Sequence, residues 1–529
     1  MYHFPGEYVT DFCIVQHAGL YHLFHIRGER WTWPVGYREL DLGHATSTDL
    51  RTWTPHAPVL PAGPAGAWDE SGNWAPDMIE VDGVFYCYYT GSDKNNNQAI
   101  GLATSTDLFT WEKHPQNPVV EPGPWSDRAV GKDVACRDAM VYHDAVNQRY
   151  LLYYTATMAD GRACLGLAQS RDLIHWEDVG PTYVEEDRTY NRLESAYLVP
   201  HDDKFYLFYS AKGGPKSKGF SPQSFDHFDI VYQISDNPTG GWVKPPNHAL
   251  LEQWTCASEH PTFDGVTYMF YIIQEEIEGV WGASVMSDPK RIEWQPDGAV
   301  QIREHLPDPV RKQTLFDSQA GYDAGWVMHG GEWRSEGAGG EEQGAGGEEQ
   351  GAGGKGQGAG GKGQGAGDVI SAPGTEADAF LMNTLWGRDL ALEAEVCAEE
   401  AGVASLVVRG NPSAMAGYLI RLDFARQTVS FCLRFPGKED SVLQERKVAL
   451  IPGAWHKLKV VVQWKFFEIY VDDALLLVHD QRIYEDGCFG LHAHGAVKFR
   501  NVKAYTQSEP DWQLTTWQYR CQPRHLLSR

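Results

Sequence analysis

The chain has 529 residues, with 45 Lys and Arg against 71 Asp and Glu and a net charge of −26. That balance excludes a protein that grips the phosphate backbone of nucleic acid through a basic surface. With 42% hydrophobic residues it can bury a sizeable core. Its length exceeds the roughly 250–300 residues at which a single core stops growing, so two domains are expected.

No apolar stretch approaches the roughly 20 residues of a membrane span. Residues 1–6 carry neither a basic nor an apolar leader segment, so a cytoplasmic protein with no membrane partner is expected. The nine cysteines are scattered, odd in number and never closely paired, which predicts free thiols and no metal or cofactor.

Along the first three hundred residues a motif recurs. Gly43-His44-Ala45-Thr46-Ser47-Thr48-Asp49-Leu50 with Trp53 returns as Gly101-Leu102-Ala103-Thr104-Ser105-Thr106-Asp107-Leu108 with Trp111. It returns again as Gly166-Leu167-Ala168-Gln169-Ser170-Arg171-Asp172-Leu173 with Trp176, and weaker copies end at Trp242 and Trp294. Ahead of each copy runs an alternating aromatic segment (21–25, 85–89, 150–154, 205–209 and 268–272) of the kind that forms a strand. Turn signals such as Asp82-Gly83 and Asp264-Gly265 precede several of them. Five units of about 60 residues, each with at least three antiparallel strands, predict an all-β fold with a five-bladed β-propeller over 1–305.

Upstream of each aromatic strand lies the strand that should line the central channel, and acids recur there. Asp11 precedes Tyr21 by 10 residues, Asp77 precedes Phe85 by 8, and Asp138 precedes Tyr150 by 12. Glu194 precedes Phe205 by 11, and Glu259 and His260 precede Tyr268 by 9 and 8. Equal phase around a ring predicts convergence on one axial pocket. Carboxylates gathered in a pocket push one another's pKa values apart, which supplies the acid and the base or nucleophile of glycosidic bond cleavage. Glu194, with apolar neighbours expected to raise its pKa, is the predicted proton donor. Asp11 is the predicted nucleophile or base, and Asp138 beside Arg137 the predicted stabiliser of the transition state. Arg137 is also placed to hold a sugar hydroxyl. The competing structural reading is that such acids only cap turns, as Asp49, Asp107 and Asp172 of the outer motif are expected to do.

Trp74, just before Asp77, and Trp33, on the loop after the first aromatic strand, are candidate platforms for the flat C–H faces of a sugar ring. Asp77 and His260 complete the expected substrate-binding set. A lone His is more often a satisfied structural residue, and no ligand spacing supports a metal there.

The second region, 306–506, alternates in short β patterns, such as 390–396 and 467–472, that predict a β-sandwich. Within it, 336–367 is a run of Gly-Ala-Gly-Gly-Glu-Glu-Gln and Gly-Ala-Gly-Gly-Lys-Gly-Gln copies that cannot form a packed core and is expected to be a disordered insertion. Residues 507–529 read as a tail.

These residues resemble the five-bladed glycoside hydrolases of family 32, the β-fructofuranosidase, levanase and inulinase type. The resemblance covers roughly residues 5–300. The motif at 43–53 looks like the family's propeller signature, Arg137-Asp138 like its Arg-Asp-Pro motif, and Glu194 falls at its acid/base position. This implies a retaining fructofuranosidase with Asp11 as nucleophile, Asp138 as stabiliser and Glu194 as acid/base. Ala139 stands in place of the motif's Pro, and Ser195 in place of the Cys that follows the acid/base. Trp74-Ala75-Pro76-Asp77 looks more like the related family 43, whose members invert, which implies an arabinofuranosidase or xylosidase as the alternative. The stretches at 455–460 and 487–493 are similar to the concanavalin-like sandwiches that follow such propellers. From another class, a non-catalytic carbohydrate-binding or interaction propeller remains as a further alternative.

Overall fold

The computed structural model describes the chain apart from residues 3–6, 30–38, 40, 129–133, 214–227, 253–254, 278–279, 306–313, 321, 323–324, 332, 337–341, 345–368, 373, 375–376, 386, 400 and 507–529. The expected insertion at 336–367 and the tail at 507–529 therefore lie almost wholly outside the described residues. The chain divides into two compact units, Met1–His305 and Leu306–Pro510. Among the described residues the regular structure is β apart from one short 3-10 turn, and no helix is long and apolar enough to cross a membrane.

The first unit holds four antiparallel sheets of four strands, each in simple sequence order. They are β1 (Glu7–His17), β2 (Leu20–Glu29), β3 (Leu42–Ser47) and β4 (Thr54–Pro55); then β5 (Gly72–Val81), β6 (Val84–Ser92), β7 (Gln98–Ser105) and β8 (Glu112–Lys113). There follow β9 (Arg137–Asp144), β10 (Arg149–Thr157), β11 (Ala163–Ser170) and β12 (Trp176–Val184); then β13 (Arg192–His201), β14 (Lys204–Lys212), β15 (Phe228–Ser235) and β16 (Ala249–Glu252). Further strands β17 (Thr255–Glu259), β18 (Thr262–Phe263), β19 (Val266–Ile277), β20 (Val280–Met286), β21 (Lys290–Trp294) and β22 (Val300–Glu304) complete the unit. The arrangement is that of a propeller, four blades being regular four-stranded sheets.

The recurring motif is explained by the turn that joins third and fourth strands. Ser105 Oγ and Asp107 hydrogen-bond each other, and Asp107 Oδ1 accepts the backbone N–H groups of Phe109 and Thr110 at 2.8 and 2.7 Å. Asp49 and Asp172 do the same for Arg51 and Thr52, and for Ile174 and His175. Leu50, Leu108 and Leu173 take positive φ of 61°, 65° and 67° so that their side chains turn inward, where they are buried. The motif's glycine has its own cause: a Cβ on Gly166 would lie 2.3 Å from the Tyr154 ring, and one on Gly43 would lie 2.3 Å from the His25 ring.

The closing tryptophans lie between neighbouring blades. Trp111 meets Phe24 edge to face at 5.7 Å, Trp176 meets Tyr88 at 5.5 Å and Trp294 meets Tyr206 at 4.5 Å. Hydroxyls repeat the same connection, with Tyr88 donating to the Leu173 carbonyl at 2.6 Å and Tyr153 to the Pro238 carbonyl at 2.5 Å. These contacts place each blade on the next and point the first strands of all blades towards a common interior.

The second unit contains two antiparallel sheets whose inner faces share one core, with Leu392, Val460 and Ile469 from one sheet and Leu406, Ile420 and Phe431 from the other. Strand Trp326–His329 pairs with Ala379–Asn383, and Arg334–Glu336 pairs with Val369–Ser371. The two flanks of the glycine-rich run are thus partners in the sheets of this one unit.

Candidate active site

Each first strand of the first unit is interrupted by a β-bulge at the same place. The register breaks between Thr10 and Phe12, Trp74 and Asp77, Glu194 and Tyr197, and Cys256 and Glu259. On the second strand of the third blade it breaks between Tyr153 and Thr155, opposite Asp138 and Ala139. A residue in every bulge takes positive φ: Asp11 27°, Ala75 43°, Asp138 56°, Ser195 52° and Ala257 45°. None is glycine, so each holds strained backbone of the kind that re-aims a side chain at a functional site.

The bulges correct the expected phase of the acids. Asp11 and Asp138 are equivalent, and their counterparts in the other blades are Ala75, Ser195 and Ala257. Glu194 stands one residue earlier, level with Thr10, Trp74, Arg137 and Cys256. Asp77 and Glu259 stand just beyond the bulge, level with Cys13, Met140 and Tyr197. Counting back from the aromatic strands could not show this, because hairpin length differs among blades and the bulge adds unpaired residues.

Asp11, Asp138 and Glu259 line a single cavity together with Phe12, Ala75, Pro76, Ala139, Ser195 and Ala196. Ser195 ties the cluster together: its hydroxyl donates to Asp11 Oδ1 at 2.9 Å and its backbone N–H to Asp138 Oδ2 at 3.3 Å. Thr10 donates to the other oxygen of Asp11 at 3.0 Å, and Thr155 donates to Asp138 at 2.8 Å. Thr90 Oγ1, from the preceding blade, accepts the N–H of Asp138 at 3.1 Å and so fixes the strained bulge. Arg137 hydrogen-bonds Glu194 through Nη2, and its Nε lies 3.5 Å from Asp138. Gln98 accepts from Arg137 at 3.2 Å.

The charges are distributed unequally. Burial, followed by the charge of Glu194, lifts the Asp11 carboxyl to about 6. Burial lifts Asp138 to about 7; Arg137 opposes that rise, while Asp11 and Glu194 add to it. Glu194 is the reverse of the expectation from its apolar sequence neighbours. Burial does raise it, but Arg137 and Arg192, with the hydrogen bond from Arg137, outweigh burial and hold it below the ordinary glutamate value. Burial pushes Glu259 well up, with Asp77 and Asp11 adding to the effect.

The other expected residues separate. Asp77 does not line the cavity; its Oδ2 accepts the N–H of Val141 at 2.7 Å, and burial lifts it to about 7. It therefore anchors the second blade to the third. His260 is buried, stacks on Phe208 at 4.0 Å and pairs through Nε2 with Ser258 at 3.1 Å, while burial lowers it to about 3. It is packed between strands and absent from the cavity wall. Trp74 sits level with Glu194 and Arg137, packed on Tyr8, Ile26 and Ala75. Trp33 lies outside the described residues. Sequence reasoning overlooked Ser195 as a site residue, although it shares the phase of Asp11 and Asp138 once the bulge is counted. It placed Glu259 in the ring without giving it a role. Among the described residues, no group of three or more His, Cys, Asp or Glu side chains is arranged to hold a metal.

Residues 11–159 match the model of Glycosyl hydrolases family 43, a match that opens on Asp11, includes Asp138 and ends before Glu194. The chain is 28% identical over 219 residues to arabinan endo-1,5-alpha-L-arabinosidase A of Aspergillus aculeatus, which covers 40% of this chain and 64% of that protein. It thus spans somewhat less than two thirds of that relative. It is 32% identical over 178 residues to a levanase of Bacillus sp. (strain L7), covering 31% of this chain and 17% of the levanase. In fold it is similar to the sucrose-6-phosphate hydrolase of Lactobacillus gasseri, with a TM-score of 0.65 and 16% identity over 94% of this chain and 90% of the other. The first unit is thus a propeller that matches the family 43 model over residues 11–159, and the chain shares its fold with the sucrose-6-phosphate hydrolase.

Proposed function

We propose that this protein hydrolyses O-glycosidic bonds of oligosaccharides or glycosides, with β-fructofuranosides as the first substrate class and arabinofuranosides as the second. The observation that carries the reading is the Ser195 bridge, which holds carboxyls from the first and third blades against one cavity with Glu194 of the fourth blade adjacent. Asp11 acts on the anomeric carbon, as nucleophile or through a water. Asp138 stabilises the charge that develops there, and Glu194 gives its proton to the departing oxygen. Arg137 has to release Glu194 before that carboxyl can carry a proton. Trp74, at the level of Glu194, offers a face for a sugar ring.

The arabinofuranoside reading is favoured by the family 43 match together with Trp74-Ala75-Pro76-Asp77, whereas the levanase match supports a fructan. We read β17–β22 as a fifth blade: Tyr2 and Met286 exchange backbone hydrogen bonds of 2.9 and 3.0 Å, and Phe270 shares a core with Phe12 and Leu50 of the first blade. The two sheets of the second unit then form the accompanying sandwich. Eight described cysteines are free, seven of them buried, which supports a reducing compartment such as the cytoplasm.

The test is purified protein against sucrose, inulin, levan and the nitrophenyl arabinofuranoside and xyloside, with Glu194→Gln beside it. Fructose release that vanishes in the variant is the expected result. Pentose release instead selects the second reading, and no Glu194-dependent turnover on any of them leaves a binding propeller.

A further inference from the structure

Every acid of the inner ring but one already has hydrogen-bond partners in the protein. Asp11 is held by Ser195 and Thr10, Asp138 by Thr155 and the Ser195 amide, Asp77 by the Val141 amide and Glu194 by Arg137. Glu259 differs: among the described residues no group hydrogen-bonds its carboxyl. The four residues before it on β17 are buried, whereas Glu259 keeps some surface and lines the cavity it shares with Asp11 and Asp138. The other side chains of that wall offer a polar ligand little. Phe12, Ala75, Pro76, Ala139 and Ala196 are apolar, and the Ser195 hydroxyl is committed to Asp11. A sheltered carboxyl without a partner costs free energy until something answers it, and a pocket orients its ligand through just such a few placed polar groups.

We propose that Glu259 is a substrate-binding residue whose carboxyl hydrogen-bonds a ring hydroxyl of the sugar unit that presents its anomeric carbon to Asp11. The inference rests on the glycosidase reading and deepens it by naming the group that orients that sugar. Asp11 and Asp138, which act at the anomeric carbon, share the cavity with Glu259, while Glu194, which serves the leaving oxygen, stands outside its lining. The ring beside Glu259 is therefore the one that keeps the anomeric carbon. No basic side chain is among the lining residues, so three ionised carboxylates there would repel one another. Asp11 has to be ionised to act, which leaves Glu259 as a neutral acid. Burial pushes its carboxyl well up, and the charges of Asp77, Asp11 and Asp138 add to the effect. A neutral carboxyl donates through its O–H and accepts through its C=O, which matches a sugar hydroxyl, itself both donor and acceptor. The hydroxyl held in this way fixes the rotation of the ring over Asp11, so Glu259 discriminates between sugars that differ at that position.

The probe is sucrose or the nitrophenyl arabinofuranoside, whichever is hydrolysed, together with analogues that each lack one hydroxyl of the furanose ring. With the intact probe, Glu259→Leu should lower kcat/KM by about tenfold or more, mainly through KM. Glu259→Gln, which keeps a donor and an acceptor in the same place but cannot ionise, should lose only a few-fold. One analogue should be poor with the unaltered protein and lose nothing further in Glu259→Leu, while the others carry the full penalty of that variant. A thermal melt reports whether each variant is folded, and Glu259→Ala takes the place of Glu259→Leu if the latter is not. An equal penalty on every analogue, or none on the intact probe, overturns the inference while leaving the glycosidase reading intact. So does a loss in Glu259→Gln as large as in Glu259→Leu, because the group required would then be an ionised carboxylate. No turnover of either probe by the unaltered protein overturns the inference together with the furanosidase reading.

Discussion

Two sets of carboxylates recur in the blades and their fates are opposite. The outer set, Asp49, Asp107 and Asp172, sits in near-identical sequence, and each accepts hydrogen bonds from the backbone of its own turn. Asp107 is held at about 2, first by the N–H of Thr110 and then by that of Phe109. The inner set, Asp11 and Asp138, sits in dissimilar sequence on strained bulges, and burial lifts these groups to about 6 and 7. Repetition therefore marks the residues that build the blade, while the residues that can exchange protons near neutral pH stand where the blades differ. A ring of identical blades offers no unique pocket, and chemistry requires that its inner bulges be filled differently.

The comparison breaks most sharply at the inner set. Asp11→Asn should lower kcat on the best furanoside by about 10³-fold or more, with little change in the melting temperature. In the unaltered enzyme the acid limb of the kcat/KM profile should fall near pH 6, because Asp11 has to be ionised to act and burial keeps its proton on up to that value. An acid limb near 4 would show that Asp11 is not the limiting base.

A smaller effect is expected at the motif's glycine. A Cβ on Gly166 would meet the Tyr154 ring at 2.3 Å, and overpacking of that kind costs about 1–3 kcal/mol, readable as a lower denaturation midpoint for Gly166→Ala. Asp77 offers a pH test of burial without chemistry. Its folded pKa is raised from 3.8 to about 7, so its favourable share of stability is present below about pH 4 and is lost as pH rises through 7. Asp77→Asn keeps an acceptor for Val141 and should flatten that decline, leaving the variant the more stable at pH 8. Smallest of all, Asp107→Ala should cost about 1 kcal/mol through the lost turn hydrogen bonds. The folded pKa of Asp107 is lowered from 3.8, so its contribution is present above about pH 4 and disappears as pH falls through 2. Denaturation curves at pH 7 and pH 2 should differ for the unaltered protein more than for this variant.

Much of the fold was legible because its signals are local. The Ser-x-Asp-Leu turn, the alternating aromatic strands and the tryptophan spacing each depend on a few adjacent residues, and together they describe blades. The glycine-rich run was equally plain. The site was legible in part: Asp11, Asp138 and Glu194 stood out as acids on first strands, and the structure places Asp11 and Asp138 on one cavity, with Glu194 outside its lining and joined to Asp138 through Arg137. Two things were hidden. Ser195 bridges Asp11 and Asp138 across 184 and 57 positions of sequence, a relation that no local pattern encodes. The bulges shift the phase of Asp77 and Glu259 relative to Asp11, and a bulge has no signature in these strands because its left-handed residues are Asp, Ala and Ser in place of glycine.

The sequence by itself determined an acidic, all-β chain of repeated blades with carboxylates on the inner strands, since strand pattern and turn chemistry act over a handful of residues. Only the tertiary structure decided which carboxylates keep their protons. Glu194 reads as apolar in its own segment, yet Arg137, 57 residues away, lies against it and holds it charged. A pKa is set by burial and by the charges nearest in space, and in a ring of blades those neighbours come from other strands.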